Sequence, residues 1–138
     1  MKFRSQIQIE HAPSEQMVVV RTTPGFELNT AAEMTAAIDV FVADIRAATR
    51  GKPIYLVVDY TNLKYSLALN EHLRAETVRL MRDANVVTIV RYGADDLMRA
   101  AARTRAMRMH MPSHLYPTFE EARQVVADLR SGRITIGR

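Results

Sequence analysis

The chain has 138 residues, 48% of them apolar and 25% charged, with five prolines and five glycines scattered through it, a formal net charge of +4 and a pI near 9.8. That profile belongs to one folded domain with a real core and excludes low-complexity disorder. No cysteine is present, which excludes disulfides, thiolate nucleophiles and cysteine metal sites.

The opening MKFRSQIQIEH alternates polar and apolar residues, unlike a secretory leader, and no apolar run approaches the roughly 20 residues of a bilayer span. A cytoplasmic protein without a membrane span is the expectation. Residues 3 to 9 alternate, residues 16 to 22 form a β-branched run, and Ala12, Pro13 and Ser14 lie between them as a turn. This predicts an N-terminal β-hairpin within residues 1 to 23.

Pro24 and Gly25 break the chain. Thr30 and Glu33 then form a capping box, and Met34, Ile38, Phe41, Val42 and Ile45 follow at helical spacing as far as Gly51 and Pro53. Residues 53 to 59, PIYLVVD, are almost uniformly apolar until the final aspartate. Such a run marks a strand covered on both faces, hence a parallel sheet.

A second helix is predicted from Leu69 through Leu73, Thr77, Leu80 and Met81 to Ala84, with Asn85 as its stop. VVTIV (86 to 90) repeats the buried-strand pattern, and Arg91, Tyr92 and Gly93 turn the chain into a third helix carrying Leu97, Met98, Ala101 and Ala102, which Pro112 ends. HLYPT (114 to 118) reads as an edge strand. Thr118 and Glu121 form a second capping box for a last helix with Phe119, Ala122, Val125, Val126 and Leu129 on one face. Ser131 and Gly132 close it, leaving RITIGR as a tail able to add a strand.

The expected fold class is therefore α/β, one layer of mixed, mostly parallel sheet with about four helices in a single domain over residues 1 to 138. In such sheets ligands gather beyond the carboxyl ends of the strands. Two segments qualify, 59 to 68 and 91 to 95, and their candidate binding residues are Asp59, Tyr60, Thr61, Asn62, Lys64, Tyr65, Ser66, Asn70, Arg91 and Tyr92. The competing interpretation is turn chemistry, since Asp, Thr, Asn and Ser also satisfy loose backbone groups in turns and at helix starts.

The run VVDYTNLKYS, followed by VTIVRYGADDLMRAAAR and ending in LYPTFEEARQVVADL, resembles the STAS/SpoIIAA-like family in its STAS/Sec14-like branch, over residues of about 16 to 130. The resemblance rests on element order and on an apolar strand, an aspartate, a polar turn and a helix in succession. It implies a SpoIIAA-like fold and a non-enzymatic signalling domain that binds a partner protein, or in some relatives a nucleotide or lipid, through the loop after the central strand and the next helix. Anti-sigma-antagonist members carry an Asp-Ser pair there, whose serine is phosphorylated. Those positions fall near Leu67 and Ala68 here, and Ser66 is out of register, so a fixed binding surface is expected ahead of a phosphorylation switch.

Catalytic constellations are sparse. His110 and His114 have the i, i+4 spacing of a helical metal pair, but Pro112 lies between them. Met107, Met109 and Met111 alternate as thioether ligands for Cu(I) would, and equally as core filler; neither a metal nor any other cofactor is expected. Nucleic-acid binding is the alternative from another class, through Arg99, Arg103, Arg105 and Arg108. At about 100° per residue these spread around the predicted third helix, with no interleaved aromatics for stacking. Exposed strands at either end of the chain leave a homodimer open.

Overall fold

The computed structural model describes residues 4–94, 100, 103, 104, 107 and 115–134. After a 3-10 turn at Arg4–Gln6, β1 (Ile7–Ala12) and β2 (Met17–Thr22) form an antiparallel hairpin with Ile7 opposite Thr22 and Ala12 opposite Met17. The ladder thus starts at Ile7, after the 3-10 turn, and it reaches past residue 9 to Ala12 although the polar-apolar alternation lapses at Glu10 and His11. Pro13–Glu15 is a second 3-10 turn, and Gln16 at φ 54° reverses the chain into β2.

The four residues Met17 to Val20 are all buried because β2 is more than a hairpin arm. It runs parallel to β4 (Ile54–Asp59), which runs parallel to β6 (Val86–Tyr92), and β7 (Leu115–Tyr116) adds a short parallel edge. The sheet order is β1-β2-β4-β6-β7. Residues 54 to 58 and 86 to 90 therefore lie side by side and point the same way, as a mostly parallel sheet requires. Ile54 stands opposite Val86 but Tyr55 opposite Thr88, so Val87 is an extra residue in a bulge.

Helices cover both sheet faces. Against Val18, Val20, Ile54, Leu56 and Val86 pack Ile38 and Ile45 of α1 (Ala31–Thr49) and Leu80 of α2 (Asn70–Asp83). Against Met17, Val19, Tyr55, Val57, Val90 and Tyr92 pack Ala122, Val126 and Leu129 of α3 (Phe119–Ser131). A fourth helix, expected between Tyr92 and Pro112, falls mostly outside the described residues, although Ala100, Arg103, Thr104 and Met107 have helical backbone. Leu97, Met98, Ala101 and Ala102 are among those not described.

Both threonine N-caps form. Thr30 Oγ1 accepts from the Glu33 amide at 3.1 Å while the Glu33 carboxylate accepts from the Asn29 amide at 3.0 Å, and Thr118 Oγ1 accepts from the Glu121 amide at 3.2 Å. At the other ends Arg50, Asn85 and Gly132 are left-handed. The tail does not continue as a strand at Arg133 and Ile134, whose amides turn back to the Asp128 carbonyl and so extend the helix cap. Residues 135 to 138 lie outside the description.

Where α1 meets α2 the seam is polar. Glu76 is buried and accepts from the Thr35 hydroxyl at 3.2 Å, while Arg79 bridges Glu76 at 2.6 Å and Asp39 at 2.8 Å. Since the single Thr35 hydroxyl proton goes to Glu76, the His72 Nε2 atom 3.0 Å away donates to Thr35.

A separate two-stranded sheet has no counterpart among the predicted elements: β3 (Glu27–Leu28) pairs in parallel with β5 (Lys64–Tyr65). It closes over a small core of Phe26, Leu28, Met34 and Ala37 at the start of α1.

Candidate functional site

The carboxyl ends of β2, β4 and β6 make one rim. Asp59 and Tyr92 are register partners, the Tyr60 amide donates to the Tyr92 carbonyl at 2.8 Å, and the Gly93 amide donates to the Tyr116 carbonyl at 3.1 Å. Since Val20 pairs with Val58 and side chains alternate along each strand, Arg21, Asp59 and Tyr92 share the sheet face that carries α3.

That row is electrostatically coupled. Burial, reinforced by the negative charge of Asp59, raises the Tyr92 phenol above its ordinary value, while Arg21 opposes the rise. Burial of Arg21 works against its charge, but Tyr92 and Glu10 outweigh it and keep the guanidinium above its usual range. Arg21 reaches Glu10 at 3.2 Å and lies 5.3 Å from the centre of the Phe119 ring. The Tyr92 and Phe119 rings meet edge to face at 5.5 Å.

Most of the polar loop residues serve the loop itself. Asp59 Oδ1 accepts from the Thr61 amide at 2.8 Å, Asn62 Nδ2 donates to the Thr22 carbonyl at 3.1 Å, and Ser66 Oγ accepts from the Ala68 amide at 3.3 Å. Gly93, at φ 90°, lets the neighbouring loop approach. A side chain there would start 2.8 Å from Asp59 Oδ1 and still nearer to Thr61.

Nine of the ten predicted residues therefore divide into three groups, and the tenth, Asn62, ties the loop to the end of β2 through the Thr22 carbonyl. Asp59, Thr61 and Tyr92 gather on the α3 side of the rim with Arg21. Tyr60 and Arg91 form a second pair, the guanidinium 5.7 Å from the ring centre, with Arg91 on the opposite sheet face from Tyr92 because adjacent strand residues alternate. Lys64, Tyr65, Ser66 and Asn70 belong to β5 and the entry to α2, where Tyr65 packs on the Phe26 core and Lys64 is exposed. No one cluster holds all ten.

No family model, curated protein or solved structure matches the chain.

Arg21 and Glu10 escaped the sequence reading although both belong to the rim. A charge directly after a buried β-branched run is the same signal that marks Arg91. The hairpin reading of β2 hides it, because the end of a hairpin arm need not meet those of parallel strands. Among the described residues, no group of three or more His, Asp or Glu side chains is placed to hold a metal ion, and no helix is long and apolar enough to cross a membrane. His110, His114, Met109 and Met111 lie outside the description, as do Arg99, Arg105 and Arg108, whereas Arg103 is described and exposed.

Proposed function

We propose that this protein is a non-catalytic, STAS/SpoIIAA-like regulatory or adaptor domain of the cytoplasm that holds a partner protein on the surface formed by residues 59 to 70 with Arg91 and Tyr92. The observation that carries the reading is the division of labour in this loop. Asp59, Asn62 and Ser66 fasten its backbone, while Tyr60, Lys64 and Arg91 stay half or fully exposed on a support ordered in advance. A surface already fixed loses little conformational entropy on binding.

Asp59 is engaged within the loop, since it accepts from the Thr61 amide and shares its sheet face with Arg21 and Tyr92. A protein partner is favoured over a small hydrophobic ligand because Phe26, Met34, Ile38 and Ile45 are buried where α1 meets the sheet and the small ribbon. A photo-crosslinking amino acid placed at Lys64, and for comparison at Lys52, would test the reading in cell extract. Both sites are exposed, but Lys52 precedes β4 and so lies at the opposite end of the sheet. A discrete adduct from position 64 and none from 52 is expected. Absence of an adduct at 64, or the same adducts at both, would remove the proposal.

A further inference from the structure

Beyond partner binding at the rim, the outer edge of β1 has a register suited to one occupant. The Thr23 amide donates to the Gln6 carbonyl at 2.9 Å. In an antiparallel ladder, hydrogen-bonded and non-hydrogen-bonded positions alternate. Gln8, Glu10 and Ala12 therefore turn their backbone groups toward β2, and Ile7, Ile9 and His11 turn theirs outward. Among the described residues no strand pairs with that edge. It is six residues long, free of proline, lysine and bulges, so the usual protections of an exposed edge are missing.

We infer that β1 pairs antiparallel with β1 of a second copy of this chain about a two-fold axis at Ile9, joining two sheets into one. Symmetry leaves few registers in which outward groups meet outward groups. An axis at Glu10 sets the two Glu10 carboxylates against each other, which is repulsive. One at Gln8 sets His11 opposite Ser5, which lies in the 3-10 turn and is not extended. One at Ile9 sets Ile9 against Ile9 and Ile7 against His11, so each outward amide and carbonyl of β1 gains a partner. It also sets Gln8 opposite Glu10 of the second copy, an amide donor facing a carboxylate on exposed positions. The interface is isologous and closed, which terminates assembly at the dimer.

Sedimentation equilibrium on the full chain tests this, with a dimer expected for the unaltered protein. Gln8→Lys creates an opposite-charge pair at two symmetry-related places and should tighten the dimer roughly 2- to 30-fold, while Gln8→Glu should weaken it by a similar factor. The two changes alter one exposed side chain in opposite senses, so damage to the monomer fold would not mimic them. Ile9→Pro removes an outward amide that β2 does not use and should give a monomer with unchanged circular dichroism. A monomer at all concentrations for the unaltered chain, or a dimer indifferent to all three substitutions, would overturn the inference.

Discussion

Asp59 and Tyr92 face each other as register partners at the ends of β4 and β6, and the carboxylate there disfavours ionisation of the phenol that burial already resists. Tyr92 and Tyr116, both raised by burial, should ionise above the ordinary phenol range in an ultraviolet titration. Asp59→Asn should shift Tyr92 to lower pH, and Arg21→Gln should shift it to higher pH. Movement of both variants in one direction would contradict the assigned row. Because the folded phenols titrate above their unfolded value, their contribution to stability is complete below about pH 10 and disappears as pH rises through the folded values. Tyr92→Phe should therefore flatten the alkaline fall of stability.

Gly93 sits where two rim loops touch. Gly93→Ala combines a left-handed backbone with a methyl driven against Asp59 and Thr61, so a loss of about 2–3 kcal/mol in urea unfolding is expected. A change near zero would mean that the loops separate freely.

Glu76 holds Arg79, Thr35 and, through Thr35, His72. Glu76→Ala leaves Arg79 with Asp39 and a 3.5 Å bond to the Thr35 carbonyl, and a polar seam without its acceptor, and should cost about 2–3 kcal/mol. Arg79→Ala combined with it should cost less than the sum of the two single changes, a coupling readable in a double-mutant cycle.

The Thr22 hydroxyl is buried and has no hydrogen-bond partner among the described residues. Thr22→Val keeps the shape, removes the unsatisfied group and suits a strand, so a gain of about 1 kcal/mol is expected by chemical denaturation. Destabilisation by the same amount would reveal an unseen partner.

What could be read from the chain before its structure follows from how far each signal reaches. The runs at 54 to 57 and 86 to 90 announced strands with side chains inside a helix-covered sheet, and Thr30 with Glu33 and Thr118 with Glu121 marked helix starts by local hydrogen-bond chemistry alone. The pairing of Leu28 with Tyr65 was illegible, because a two-residue strand has no periodicity and its partner lies far along the chain. Arg21 was missed for a related reason: that β2 has a parallel neighbour on one side and an antiparallel one on the other is a tertiary fact. The polar residues after β4 were read as one group, yet only the structure separates Asp59, Asn62 and Ser66, which brace the loop, from the half-buried Tyr60 and the exposed Lys64.

The additional residue at Val87 decides the chemistry at the far end of its strand. In a regular ladder that counted Val87 as a pairing residue, Arg91 would stand beside Asp59, and the acid would be clamped between two guanidinium groups in a saturated ion cluster. The bulge takes Val87 out of the pairing, five residues upstream of Tyr92, and so seats a neutral hydroxyl there and sends the second cation to the other side of the sheet.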